Sequence, residues 1–269
     1  MERHSLLNIF SHLSIRWKMI LLSAVGMLGM GAVAFQHFSM VARVAVVQAV
    51  QSRAAAASVH SLELANAMLE ARRAEKDFLI RNDDADAAKN TQAVAAARQL
   101  LKLISDDFVA TESDTAESSK PEIAALEANV ARYQAAFQTV VDLQHKLGLN
   151  ETLGLLGALR KSVHDAEERV VPLNQPELLV KMLMLRRHEK DFLARVDDSY
   201  RVAFEKMFGE FSATLAQLDL DPQVKDAIAK RMEAYRRDFL DLVTTRLESN
   251  AQRADLSKIS NAPIPYSAS

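Results

Sequence analysis

The sequence predicts an all-α protein with one membrane helix and a helical unit that occurs twice. Helix-favouring residues such as Ala, Leu, Glu and Arg are abundant, whereas the 269 residues include only 7 Gly and 6 Pro. Residues 68–81 and 182–195 are identical at ten of fourteen positions, at an offset of 114 residues. Such a close match over a long offset indicates two copies of one supersecondary unit.

The N-terminal region predicts a membrane anchor. Residues 19–42 contain no Asp, Glu, Lys or Arg, and this uncharged run of 24 residues is long enough to cross a bilayer as a helix. Trp17 and Lys18 stand where interfacial residues belong. Ala32-Val33-Ala34 also fits a signal-peptide cleavage site, but the uncharged run is longer than a typical signal core. We expect a cytoplasmic leader over 1–16, a retained transmembrane helix over 17–40 and the remainder outside the cytoplasm.

Three helices are predicted for the first copy, over about 41–147. Residues 41–81 contain no helix breaker and continue the membrane helix, and Asn82-Asp83-Asp84 supplies a turn and a cap. A second helix is predicted over about 85–108. The polar, serine-rich residues 111–120 are predicted to form a loop before Pro121 opens the third helix.

The second copy, over about 151–255, repeats this order. Two groups of apolar residues recur in it with the same helical spacing. In the second helix of each copy, Val94, Ala97, Leu101 and Ile104 correspond to Phe208, Phe211, Leu215 and Leu218. In the third helix of each copy, Tyr133, Phe137, Val140 and Val141 correspond to Tyr235, Phe239, Leu242 and Val243. Between the copies, Gly148 is expected to end a helix and Asn150 to cap the next. Pro172 and Pro176 are expected to interrupt helix before the second copy.

Composition and motifs exclude several classes of function. The net charge is −2 and no basic stripe is present, which argues against a nucleic-acid partner. The chain has no Cys, so it has no thiolate metal site or disulfide. No Gly-rich phosphate loop, nucleophile motif or paired catalytic carboxylates are found, and isolated histidines such as His60, His164 and His188 do not form a metal motif. We expect neither an enzyme nor a cofactor; a histidine-based cofactor bundle is the weakest alternative.

The repeated segment supplies the candidate ligand-binding residues. Arg72 and Arg186 share a helix face with apolar residues, and Arg73 and Arg187 lie one step round the helix. A guanidinium offers a fork of N–H donors that matches the two oxygens of a carboxylate. Phe78 and Phe192 in the same segments are expected in the core.

These arginines have an alternative role as members of structural ion pairs. Arg72 would then pair with Glu75 or with Glu189 of the other copy, and Arg186 with Glu75. Arg73 and Arg187 would pair with Asp77 and Asp191 at i,i+4. Charge balance distinguishes the two roles, because an inward arginine without a carboxylate partner is available to a ligand.

The twin RRxEKDFLxR segments, the GLxxxxGLLGALRxxVHxxE stretch over 148–167 and the preceding span resemble the helical bimodular sensor domain of bacterial methyl-accepting chemotaxis receptors and some histidine kinases. The resemblance covers about residues 15–260. It implies a periplasmic domain over 41–260 on a bacterial inner membrane, in which six helices form two stacked four-helix bundles. It also implies a homodimer that binds small organic acids through Arg72 and Arg186, and less directly through Arg73 and Arg187.

Receptors of this family also have a second span, a linker module and a cytoplasmic hairpin, which do not follow the tail over 261–269. We therefore expect either a receptor fragment or a truncated protein that binds without signalling. The predicted function is a membrane-anchored sensor domain for a small carboxylate. The alternative is a structural or interaction bundle that binds a protein partner, with purely structural Arg–Glu layers.

Overall fold

The computed structural model describes the backbone of residues 14–109 and 114–261. Within these ranges it describes the side chains of all residues except those of 108–119. Within these residues the chain is all-α, as predicted, with no strand. Seven helices follow one another: α1 (Ile15–Arg81), α2 (Asp84–Val109), α3 (Asp114–Leu147), α4 (Gly154–Val170), α5 (Pro176–Arg195), α6 (Ser199–Gln217) and α7 (Pro222–Asn261). A short 3-10 helix, Val171–Leu173, links α4 to α5 and contains Pro172, so the predicted interruption by Pro172 and Pro176 is confirmed.

Helix α1 joins the candidate membrane segment to the rest of the protein without a break. Its 67 residues extend for about 100 Å at 1.5 Å per residue. The most apolar 18-residue window has a mean hydropathy of 1.8 and is not buried, so α1 is long and apolar enough to cross a membrane. One candidate spanning helix near the N-terminus agrees with the single span predicted over 17–40.

Left-handed residues end the two helices that carry the repeated segment. Asn82 has φ 53° and its N–H donates to the carbonyl of Phe78 at 2.8 Å, which ends α1. Val196 has φ 54° and ends α5 by the same bond to Phe192, at 2.7 Å. Asn tolerates this conformation well, whereas a β-branched valine is strained in it. The turn predicted at residues 82–84 is therefore confirmed.

The predicted loop over 111–120 is wrong for residues 114–120. Helix α3 begins at Asp114 and contains Pro121, while residues 110–113 lie outside the described part of the chain. The loop was inferred from polar composition and from the tendency of proline to open helices. Proline removes one backbone hydrogen bond and crowds the carbonyl four residues earlier, so it costs stability within a helix without always ending it.

The predicted cap at Asn150 is also wrong. Helix α4 begins four residues later, at Gly154, with Leu153 at its N-cap position. The Asn150 side-chain oxygen instead accepts from the Thr152 backbone N–H at 3.0 Å and the Thr152 hydroxyl at 2.7 Å. Gly148 ends α3 as predicted, with φ 108°, and a Cβ there would lie 2.1 Å from the Leu153 carbonyl oxygen.

Buried apolar side chains form two separate clusters. The first core combines α1, α2 and α3 with Leu256 of α7, and the second core combines α4 to α7 with Leu147 of α3. Edge-to-face aromatic pairs anchor both, Phe78 with Phe137 at 5.7 Å and Phe192 with Phe239 at 5.8 Å between ring centroids. The four rings are almost fully buried, which confirms the core positions predicted for Phe78 and Phe192.

Candidate functional site

In each repeated segment the glutamate, and not the arginine, is buried in the core. Glu75 is 0% exposed and Glu189 is 3% exposed, so the carboxylates occupy the interior. Arg72 and Arg186 lie half-buried at the margin of the same face. A buried carboxylate is costly unless hydrogen bonds or opposite charges compensate it, and a marginal arginine keeps contact with water.

Arg186 is paired within the second core. Its Nη1 lies 2.6 Å from the Glu167 Oε1 on α4, and its Nε lies 3.7 Å from the Glu189 Oε2 on its own helix. The predicted pair with Glu75 is wrong, because the two residues belong to different cores. The residue that reaches Arg186 is Glu167, from a helix that precedes the repeated segment.

A cleft of about 400 Å³ opens beside Arg186. Its charged lining includes Arg160, Lys190, Glu151 and Glu189. Arg160 pairs with Glu151 at 2.7 Å, and Lys190 pairs with Glu189 at 3.2 Å. The cations of this cleft are therefore already compensated by carboxylates of the protein.

Arg72 has a different environment in the first core. Its Nη2 donates to the Asn261 Oδ1 at the end of α7 at 2.8 Å. Glu75, its predicted partner, is instead 2.6 Å from the Lys76 Nζ, so the predicted Arg72–Glu75 pair is wrong. Among the residues that the structure describes, Arg72 has no carboxylate within ion-pair distance. Of the two inward arginines of the repeated segments, Arg72 is therefore the one without a carboxylate partner there.

Polar side chains beneath Arg72 hold the helices around it. Asn90 of α2 is buried, and its Nδ2 donates to the Ala71 carbonyl at 2.7 Å and to the Tyr133 hydroxyl at 2.8 Å. Burial, and then the negative charge of Glu75, raise the pKa of Tyr133 well above its usual range, while the charge of Arg72 opposes this shift. Tyr133 is therefore a neutral phenol at physiological pH.

The second core contains a related but more direct contact. The Tyr235 hydroxyl donates to the Glu189 Oε2 at 2.7 Å. Burial, and then the charge of Glu189, raise the pKa of Tyr235. Sequence reasoning placed both tyrosines in the core and missed their hydroxyls. The signal was available, because a tyrosine at a fully buried position usually has a hydrogen-bond partner.

Arg73 and Arg187 are exposed on the outer side of their helices. Arg187 pairs with Asp191 at 3.8 Å, as the i,i+4 spacing predicts. Asp77 is paired with Arg81 at 3.7 Å instead, and Arg73 has no ion pair within the described ranges. The structure thus places Arg72 and Arg73 with the first core and Arg186 and Arg187 with the second, and it does not bring the two pairs together.

His60, His164 and His188 lie on three different helices, α1, α4 and α5. His60 Nδ1 lies 3.1 Å from the Asp107 Oδ2 and His164 Nδ1 lies 3.7 Å from the Glu167 Oε2, whereas the Nδ1 of His188 is buried without a partner. No group of three potential metal ligands occurs among the residues described. This geometry offers no metal-binding arrangement.

The chain matches no model of a known protein family, and a comparison with curated proteins gave no match either. The residues and contacts described above are therefore the basis for assigning a function.

Proposed function

We propose that the chain is the extracytoplasmic ligand-binding region of a chemoreceptor-like membrane protein and that it recognises a small organic acid through Arg72. The observation that carries this proposal is the charge of Arg72, which lies half-buried beside the first core without a carboxylate partner in the described residues. A carboxylate would accept two parallel hydrogen bonds from the guanidinium and would neutralise its charge.

The neighbours of Arg72 suit this role. A guanidinium has five N–H donors, and the bond to Asn261 uses one of them. Asn261 also donates from its Nδ2 to the Ser257 Oγ at 3.3 Å, which steadies the amide that holds the arginine. An acid bound here would contact α1 and lie close to the end of α7. Binding of the acid would therefore change the position of α1 relative to α7.

The continuity of α1 gives such a change a route to the membrane. The same helix contains the candidate spanning segment and Arg72. A ligand-induced displacement of α1 relative to α7 would therefore move the membrane segment, as in other receptors that signal by helix shifts. The likeness of the repeated segments to the helical bimodular domain supports this proposal, as does the division of the core into two clusters.

The finer architecture is part of the proposal. The first core draws on four helices, α1, α2, α3 and α7, which fits one of the two stacked bundles of a duplicated six-helix domain. We place this domain in the periplasm as a homodimer, without enzymatic activity. We expect a smaller contribution to ligand binding from Arg186, Arg187 and Arg73. Glu167 already occupies Arg186, and the other two are exposed.

The alternative function, a bundle that binds another helical protein, is favoured by a different part of α1. Apolar residues after the candidate span are exposed, among them Val46, Val47, Val59 and Leu62. A row of exposed apolar side chains on a helix is typical of an interaction face. In this alternative the Arg–Glu contacts only fix the packing of the helices.

A thermal-shift screen of the full chain in detergent tests the proposal. Succinate, malate, citrate, acetate and amino acids are compared at equal ionic strength. A ligand at 100 times its Kd stabilises the folded state by about 2.7 kcal/mol, so at least one acid should raise the melting temperature as its concentration grows. In Arg72→Gln the same rise should need a roughly 10- to 100-fold higher concentration of the acid. Arg98→Gln, which removes an exposed charge on α2, should retain the wild-type rise.

Two results would reject the proposal. One is the absence of a shift with any acid in a well-folded sample. The other is an equal shift in Arg72→Gln and the wild type. Either result would move the assignment to the protein-binding alternative, for which copurification of a helical partner dependent on Val59 and Leu62 is the corresponding test.

A further inference from the structure

A polar segment interrupts the inward face of α7 between the two cores. The second core ends on α7 near Leu242 and Val243, and the first core begins again at Leu256. The positions between them continue the alternating spacing of four and three residues that defines a buried helix face. Those positions are Leu242, Arg246, Ser249, Arg253 and Leu256.

The two arginines of this segment have no carboxylate partner in the part of the chain that the structure describes. The other three arginines of α7 all have one: Arg231 is 3.0 Å from Asp165, Arg236 is 2.8 Å from Glu205, and Arg237 is 3.1 Å from Asp238. No acid stands three or four residues from Arg246 or Arg253, so neither has the favourable spacing for an ion pair within the helix. On the inward face of this segment the two arginines are therefore cations without a carboxylate partner, whereas Glu248 and Asp255 lie exposed on other faces of the helix.

Both side chains are nevertheless partly withdrawn from water. Each is half-buried, and the Nε of each is buried without a hydrogen-bond partner. The one contact of Arg253 is neutral, from its Nη2 to the Oε1 of buried Gln144 on α3, at 2.8 Å. The two arginines lie about two turns apart on the same face of α7. Burial, and then the positive charge of Arg246, lower the pKa of Arg253.

Ser249, between the two arginines, adds an unused hydroxyl. Its side chain is 0% exposed and its Oγ has no hydrogen-bond partner. Helical Ser and Thr residues usually bond back to a carbonyl in the preceding turn, as Thr244 does to Leu240 at 2.9 Å on the same helix. Two buried guanidinium N–H groups and one buried hydroxyl are thus left as donors on one face of one helix.

We propose that Arg246, Ser249 and Arg253 form a binding site for a small divalent oxyanion, such as inorganic phosphate or sulfate, at the junction of the two cores. A dianion neutralises two adjacent cations that would otherwise repel each other in a partly buried place, and its oxygens accept from both guanidinium groups and from the hydroxyl. The site uses residues of α7 outside the repeated segments, so it is independent of the acid site proposed at Arg72. An anion bound here would stabilise α7 at the junction and restrict movement of one core relative to the other.

The test measures phosphate binding to the full chain in detergent by equilibrium dialysis with radiolabelled phosphate, at an ionic strength held constant with sodium chloride. The wild type should bind phosphate saturably, at one site per chain, and its melting temperature should rise with phosphate concentration. Non-saturable retention, or no retention, would overturn the proposal whatever the variants do.

The variants identify the site. Arg253→Met should abolish saturable binding and should raise the melting temperature in phosphate-free buffer, because it removes an uncompensated charge next to Arg246. If that variant does not fold, Arg246→Met provides the same test. Arg231→Met, which removes a paired arginine of the same helix, should leave phosphate binding unchanged. Undiminished binding in both Arg253→Met and Arg246→Met would overturn the assignment.

Crossed controls separate this site from the acid site. Arg72→Gln should retain phosphate binding, and Arg253→Met should retain the thermal shift produced by an organic acid. If Arg72→Gln instead abolishes phosphate binding, the anion is bound at Arg72 and the junction site is refuted. Failure of every organic acid in the screen would reject the proposed function but would not alter the expected phosphate result.

Discussion

Removal of the Tyr235 hydroxyl should destabilise the protein more than removal of the Tyr133 hydroxyl. Both tyrosines are buried, at 0% and 2% exposure, and Phe fills the same volume at either position. The Tyr235 hydroxyl donates at 2.7 Å to the carboxylate of Glu189, which is itself 3% exposed. The Tyr133 hydroxyl accepts a bond from the neutral amide of Asn90, which keeps its second bond to the Ala71 carbonyl. Its charged neighbour Glu75 lies 2.6 Å from the Lys76 Nζ, closer than the 3.2 Å between Glu189 and Lys190.

The expected magnitudes follow from these partners. A hydrogen bond to a charged group contributes about 1.5–3 kcal/mol, and one between neutral groups contributes about 0.5–1.5 kcal/mol. Tyr235→Phe also leaves a buried carboxylate oxygen with less compensation, which places its cost at the upper end of its range. We therefore expect Tyr235→Phe to reduce the free energy of unfolding by about 1.5–2.5 kcal/mol more than Tyr133→Phe.

The assay is urea denaturation of the full chain in detergent, followed by circular dichroism. A double-mutant cycle with Glu189→Gln checks the assignment, because two residues that share one bond should give a clearly non-additive result. Equal costs for the two tyrosine variants, or a larger cost for Tyr133→Phe, would refute this account of the two buried networks.

Three further predictions use the same denaturation assay. Gly148→Ala should cost more than about 1 kcal/mol, since φ is 108° and the new Cβ would meet a carbonyl oxygen at 2.1 Å. Its control, Gly209→Ala, should instead add about 0.5–1 kcal/mol, because nothing lies within 4 Å of the new Cβ in α6. A neutral Gly148→Ala would contradict the described turn. Phe78→Ala should cost about 3–5 kcal/mol by opening a cavity in the first core, and a cost below about 1 kcal/mol would be inconsistent with its burial. The hydrogen bond from the Ser199 backbone N–H lowers the pKa of the Asp197 carboxyl in the folded protein. The charged carboxylate therefore stabilises the fold at pH values above the unfolded pKa of about 3.9. This stabilisation is lost as the pH falls through the lower pKa of the folded state. Asp197→Asn should therefore be less stable than the wild type at about pH 6, with the difference shrinking towards about pH 3, and a difference that does not depend on pH would exclude this explanation.

The helices were predictable because their sequence signals are local. The face of α2 formed by Val94, Ala97, Leu101 and Ile104 is buried as its spacing predicts. The turn at Asn82 was also predictable, because Asn readily adopts the left-handed conformation. The equivalent turn at Val196 lacks such a signal, since valine rarely adopts this conformation and does so here where two helices meet.

The candidate site was predictable in position but not in its contacts. The spacing placed Arg72 and Arg186 on one helix face with Glu75 and Glu189. In the structure the two glutamates of that set are buried and the arginines lie at the margin. The partners Glu167 and Asn261 come from α4 and α7, and no local pattern specifies which side chain a neighbouring helix will present. The duplicated segments therefore look equivalent in sequence, while only the arginine of the second core has a carboxylate partner among the described residues.

The role of Arg246 and Arg253 could have been found from the sequence. Both interrupt an otherwise regular series of buried positions on α7, and neither has an acidic residue one helical turn away. The burial of their Nε atoms is a property that only the packed structure reveals.

Calorimetric titration with the acid that gives the largest thermal shift tests the central claim most directly. The full chain, Arg72→Gln and Arg186→Gln are titrated side by side. Loss of a charge-assisted hydrogen-bonded contact worth about 1.5–3 kcal/mol should weaken binding roughly 10- to 100-fold in Arg72→Gln, whereas Arg186→Gln should bind as the wild type does. Unchanged affinity in Arg72→Gln, or a loss confined to Arg186→Gln, would contradict the assignment of the site to the first core.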